Sequence, residues 1–207
     1  MSETGSMTSE VPASVRHGRR LVATALLIWL VLAIAVGASG RMAGLRPPQP
    51  QIILAILTLA ASIAVFAIRA LRNWARTIPV AGLVAWHLTR LVAGAYFLVL
   101  AGRSTLPRSF AYPAGIGDVA VGVLAAVLLL TVSPRSVAGH RCYTAWNVFG
   151  LLDIIFVVVN AARTGLAHPA SMAPLLRLPL SILPTFLVPT IFVCHFILIG
   201  RLRSQEC

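Results

Sequence analysis

Six apolar runs alternate with short polar segments along this chain: Leu21–Gly37, Gln51–Ile68, Val80–Ala101, Ile116–Val132, Cys142–Ala161 and Leu180–Ile199. Each comes close to the roughly 20 residues that a helix needs to cross the hydrocarbon of a bilayer. The breaks between them carry most of the proline and much of the arginine. Pro47, Pro48 and Pro50 interrupt the first connection, and Pro79 suits the first turn of the third helix. Arg103 to Pro113 reads as a polar loop, and Ser133-Pro134-Arg135 stops the fourth run. Arg163 to Arg177 is the longest connection, with Pro169 to Leu176 placed for a short interfacial helix. The pattern predicts an all-α fold, a six-helix transmembrane bundle over residues 21–201 with no soluble domain. Residues 1–20 are expected to form a cytoplasmic tail, disordered where Met1 to Glu10 lack any apolar period, and residues 202–207 a second, short one.

Composition agrees with that reading. Hydrophobic residues make up 58% of the 207 and charged residues 11%, against about 25% charged in soluble domains. The net charge of +12 does not point to nucleic acid, because the arginines stand singly or in pairs between apolar runs and form no basic face. The chain contains no lysine, which excludes Schiff-base chemistry with retinal or pyridoxal phosphate. Cys142, Cys194 and Cys207 form no metal-binding spacing and are expected as reduced thiols. The first run also resembles a signal peptide, with Arg19-Arg20 before it and Ala38-Ser39-Gly40 after it. It exceeds the usual signal core, so an anchor is expected.

Six spans put both ends on one side. With the termini inside, the inner flanks hold Arg16, Arg19, Arg20, Arg69, Arg72, Arg76, Arg135, Arg141, Arg201 and Arg203. The outer flanks hold Arg41, Arg46, Arg103, Arg108, Arg163 and Arg177. This bias predicts cytoplasmic termini. Trp74, Tyr143 and Trp146 then fall where an inner aromatic belt would lie. The two halves of the chain show no internal repeat.

The remaining arginine, Arg90, lies inside the third run, where a charge is costly and needs a partner. At about 1.5 Å of rise per residue, Arg90 lies roughly 15 Å and Asp153 roughly 16 Å from the inner face, so the two share a depth and should pair. His87 and His195 lie at roughly 10 Å and 8 Å. His87, Arg90 and Gly94 share one helix face, as do Trp146, Gly150, Asp153 and Asn160. The candidate polar seam is therefore His87, Arg90, Asp153, Asn160 and His195. Gly115, Asp118, Gly122 and Ala125 form a small-residue face suited to close helix contact. Asp118 itself is expected near the outer surface, meeting Arg103 or water. Pro184 and Pro189 should disturb the sixth helix and leave the carbonyls near Leu180 and Thr185 short of partners.

The blocks WHLTRLVAGAYFLVLAG, YPAGIGDVAVG, WNVFGLLDI and LPLSILPTFLVP, from Pro79 onward, resemble those of an uncharacterised family of bacterial inner-membrane proteins. The resemblance implies a multi-pass protein of the bacterial inner membrane and assigns no residue a role. Three functions compete. The first is a small permease or permease subunit that moves a small anionic solute or a proton through the seam. The second is an electron carrier with b-type haem between His87 and His195. The third is a non-catalytic assembly or sensory subunit. Only the second needs a cofactor, and no metal site is otherwise expected. No catalytic motif is present, so an enzyme is not expected. Beyond the bilayer, a second copy of the chain or another membrane protein is a candidate partner.

Overall fold

The structure, a computed structural model, describes residues 13–204. Met1 to Glu10 and Cys207, for which a disordered tail and a free thiol are expected, lie outside the described residues. Nine α-helices carry the described chain: α1 (Ala13–Ala38), α2 (Gln49–Ala67), α3 (Arg69–Thr77), α4 (Val80–Trp86), α5 (Thr89–Gly102), α6 (Arg108–Thr131), α7 (Val137–Ala167), α8 (Pro169–Met172) and α9 (Val188–Arg203). Turns of 3₁₀-helix at Arg41–Gly44 and Ala173–Leu176 and a π-helical turn at Leu183–Leu187 complete it. The described residues contain no strand. Six helical stretches are long and apolar enough to cross a membrane, α4 with α5 forming one and the π turn with α9 another.

The helices run past the bounds read from hydropathy. α1 begins at Ala13, inside the segment expected as a tail, and α9 continues to Arg203. α6 begins at Arg108 because Pro107 supplies the extended residue before a helix start; Pro113 lies inside the helix, and the Ser109 carbonyl that it cannot serve accepts from the Asn160 amide. α7 begins at Val137, where the Ser136 hydroxyl accepts from the Gly139 N–H at 2.9 Å. Polar first and last turns carry little hydropathy, so they vanish from an apolar-run reading.

α4 and α5 are one span interrupted at His87-Leu88. The Thr89 hydroxyl donates to the Trp86 carbonyl at 2.7 Å, taking the acceptor that the Arg90 N–H would use in an α-helix. The Arg90 N–H turns to the His87 carbonyl at 3.0 Å, and Leu91 N–H to that of Leu88. This tight turn stacks residues three apart, and both His87 and Arg90 point inward.

α5, α6, α7 and α9 surround the core with α4, while α1 and α2 lie outside them. α5 and α6 touch through glycines: a methyl at Gly94 would sit 2.7 Å from the Gly115 carbonyl oxygen, so these backbones meet without side chains between them. Below the polar residues, Leu83, Val84, Val121, Ala125, Tyr143, Trp146 and Leu198 form one apolar cluster. Tyr143 and Trp146 are therefore core residues and not an interfacial belt. Tyr143 donates to the carbonyls of Leu128 and Val132, and Trp146 Nε1 to that of Val121 at 3.0 Å. Large apolar side chains line the outside of the long helices, Leu27, Ile56, Leu59, Val92, Ile116, Leu130 and Leu152 among them, an exposure that a water-soluble surface rarely carries.

Two arginines of the group expected inside lie close together, Arg201 on α9 and Arg76 on α3. The Arg201 guanidinium donates to the carbonyls of Ala75, Arg76 and Ile78, closing the C-terminal end of α3, where the helix dipole favours a cation. Cys142 and Cys194 are free thiols.

Candidate functional site

Arg90 is 1% exposed and is bound by three groups from two other helices. Its Nε donates to Asp118 Oδ1 on α6 at 2.6 Å. Its Nη2 donates to Asp153 Oδ2 on α7, and its Nη1 to the Gly150 carbonyl at 3.0 Å. The structure thus pairs Arg90 with Asp153, and it corrects the place given to Asp118. That residue is 4% exposed and faces Arg90, not Arg103 or water. The reason is the helix start: with α6 beginning at Arg108 rather than near Ile116, Asp118 lies well inside the bundle.

The chain has five acidic residues: Glu3, Glu10, Asp118, Asp153 and Glu206. The two that lie in the described part both bind the same guanidinium. One positive charge thus faces two carboxylates, and the centre carries a formal surplus of negative charge. Such a surplus in a dry site is answered by a proton on a carboxylate or by another cation. An anionic solute in the cavity would meet Asp118 beside a guanidinium that three acceptors already engage.

Glycine sets the approach of these groups. A methyl at Gly117 would overlap Asp153 Oδ1, so only glycine lets α6 pass beside that carboxylate. Gly150 leaves its carbonyl open to Arg90 and also abuts His195, whose Cε1 would lie 2.9 Å from an added methyl.

His87 and His195 are fully buried, with ring centroids 4.3 Å apart and planes at 54°. Trp146 stands edge-on to His87 at 5.0 Å. His195 Nδ1 meets Asn147 Oδ1 at 2.7 Å, while His195 Nε2 and both nitrogens of His87 have no hydrogen-bond partner. Two imidazoles in mutual contact leave no gap for a macrocycle, so a haem ligated axially by this pair does not fit here. Among the described residues no group of three or more His, Cys, Asp or Glu side chains gathers as a metal site.

Asn160 does not join the centre. Its amide donates to the Ser109 carbonyl at 3.3 Å, near the start of α6. Sharing a helix face with Asp153 is not enough, because two turns of rise carry it away along the axis. Asn147 was missed by the sequence reading. Its only signal is a carboxamide inside an apolar run, one turn before Gly150.

An apolar cavity of about 190 Å³ ends on this centre. Arg90 and Asp118 lie at one end; Arg46, Gln51 and the turns at Pro169 and Leu175 lie at the other. Phe97, Phe110, Ile154, Val158 and Leu187 make up much of the wall between. The apolar cluster of Val84, Val121, Tyr143 and Trp146 closes the opposite side.

The sixth span accounts for its prolines. Pro189 has no N–H for the Thr185 carbonyl, and Trp29 Nε1 from α1 donates to that oxygen at 2.8 Å. The Leu180 carbonyl accepts from the Leu183 N–H at 2.9 Å. The π turn between them carries Pro184, Leu187 and Leu183 into the cavity wall.

Residues 47–203 match the family model of a domain of unknown function, DUF8737. No curated protein and no solved structure matches the chain.

Proposed function

We propose that this chain, which belongs to the DUF8737 family, is a small multi-pass permease, or the membrane subunit of one, with Arg90, Asp118 and Asp153 as its substrate and proton centre. It spans the bacterial inner membrane six times with both termini in the cytoplasm. The carrying observation is the pair of carboxylates on one buried guanidinium at the closed end of an apolar cavity. A bundle that needed only a structural ion pair requires one carboxylate. The second leaves a charge that a proton or a substrate must answer.

The π turn in the sixth helical stretch, which lines the cavity through Leu183, Pro184 and Leu187, supports the same reading. Irregular backbone at membrane depth is tolerated where it lines a cavity, and such breaks are where transporter helices bend. The resemblance to bacterial inner-membrane proteins supports the location, and the arginine bias supports the orientation.

The test uses proteoliposomes with a pH dye inside and an imposed proton gradient. A panel of small organic cations, anions and neutral solutes is added outside in turn. The proposal expects at least one solute to move protons in a protein-dependent way, with the effect lost in Asp118→Asn and Asp153→Asn and kept in the outlying Arg163→Gln. If no solute moves protons beyond protein-free vesicles, or if both aspartate variants behave like the wild type, the proposal fails.

A further inference from the structure

We infer that the cavity ending on Arg90 and Asp118 binds an amphipathic organic cation: an apolar chain carrying a protonated amine. The inference rests on the reading of this centre as the substrate site and names the class of substrate.

Two independent features carry it. The first is charge. Arg90 is engaged by Asp118, by Asp153 and by the Gly150 carbonyl, so the guanidinium is already matched. What remains unmatched at this end is negative, and the other arginine of the lining, Arg46, is exposed at the far end. A carboxylate head brings a third acidic group to a guanidinium that two already engage, in a medium of low dielectric, and cannot replace the proton that answers the surplus. An ammonium head meets the surplus carboxylate and donates to it.

The second feature is the wall. Between its mouth and the charged end the cavity is bounded by Phe97, Phe110, Ile154, Val158 and Leu187, with no charged side chain among them. A small hydrated cation would have to shed its water along this apolar path with nothing in return. An alkyl chain gains from the same surface, roughly 0.8 kcal/mol for each methylene buried. Phe97 and Phe110 meet edge to face at 5.4 Å, a wall of aromatic rings that also tolerates a passing cation. The cavity therefore selects for a chain, and its end selects for positive charge.

The experiment measures binding to the full-length protein in nanodiscs, with no gradient and no transport step. The probes are hexylammonium, hexanoate and hexanol, which share a chain and differ in the head. Hexylammonium should bind on the order of tenfold more tightly than hexanol, with hexanoate weaker still. Asp118→Asn should reduce hexylammonium binding by about tenfold, to the level of hexanol. Val158→Trp fills the cavity without touching a charge and should abolish binding of all three probes. The inference is overturned if hexanoate binds as well as hexylammonium, if hexanol matches it, or if hexylammonium binding survives Val158→Trp. Should Asp118→Asn fail to fold, the head-group comparison in the wild type and the Val158→Trp result still decide. Proton movement coupled only to an anion or a neutral solute, with no hexylammonium binding, leaves the permease reading standing and removes this one. Hexylammonium binding with no coupled proton movement by any solute does the opposite.

Discussion

Asp118 holds the Nε–H of Arg90 at 2.6 Å from the neighbouring helix, while Asp153 holds the other end of the same guanidinium. The pairing is two-to-one, and this sets an unusual order of mutational cost. Arg90→Leu leaves two buried carboxylates facing each other and should cost about 3–5 kcal/mol, the usual range for breaking a buried pair. Asp118→Asn or Asp153→Asn leaves a balanced pair and should cost clearly less. Thermal melting in detergent on these variants checks the order. Equal losses for Arg90→Leu and either asparagine variant would mean that the second carboxylate is not a surplus charge.

Gly117 offers a way to disturb the centre without changing a charge. A methyl there collides with the Asp153 carboxylate. Gly117→Ala should therefore displace Asp153 and cost about 1–3 kcal/mol, as overpacking commonly does. Gly102→Ala, where an added methyl meets nothing within 4 Å, is the control and should leave the melting temperature within a degree or so. Like losses in the two variants would contradict the close passage of α6 beside Asp153.

The Trp29 indole and Pro189 should be coupled. Trp29 Nε1 serves the Thr185 carbonyl that Pro189 cannot serve. Trp29→Phe keeps most of the ring and removes the donor, at a cost of about 1–3 kcal/mol. In a Pro189→Ala background the backbone N–H can take over, so the same substitution should cost measurably less. A double-mutant cycle with no coupling would show that the indole contributes packing alone.

The proposed sidedness rests on the count of flanking arginines. Arg201 closes the end of α3 beside Arg76, while the turn at Arg41–Gly44 packs against that at Ala173–Leu176 at the other end. Reporter fusions after Glu206 and within Thr164 to Pro174 should report the inside and the outside of the inner membrane respectively. The reverse pattern would invert the direction from which the cavity fills.

The number and order of the six long apolar helical stretches were legible because an apolar run near the length of a bilayer has few alternatives. The Arg90–Asp153 contact was legible from depth and sign. Asp118 was misplaced because the polar first turn of α6 hides from hydropathy, although the sequence held a better signal: between Glu10 and Glu206 the chain has only two acidic residues. The break at His87-Leu88 was not read, since it depends on one hydroxyl, that of Thr89, taking the Trp86 carbonyl. The buried contact of His195 with Asn147 depends on which way α9 turns after its π segment, and residue spacing along a regular helix cannot supply that rotation.

In the proposed function the surplus carboxylate beside Arg90 exchanges a proton for an organic cation. The groups facing it are Arg90, Asp118 and Asp153, with His87 and His195 beyond. Proton release in weakly buffered solution, followed while hexylammonium is titrated into the protein in nanodiscs, measures that exchange directly. Protons should appear in step with binding in the wild type. They should be absent with hexanol, and absent with hexylammonium in both Asp118→Asn and Asp153→Asn. Hexylammonium that binds without releasing protons, or proton release that survives both aspartate variants, would contradict the account.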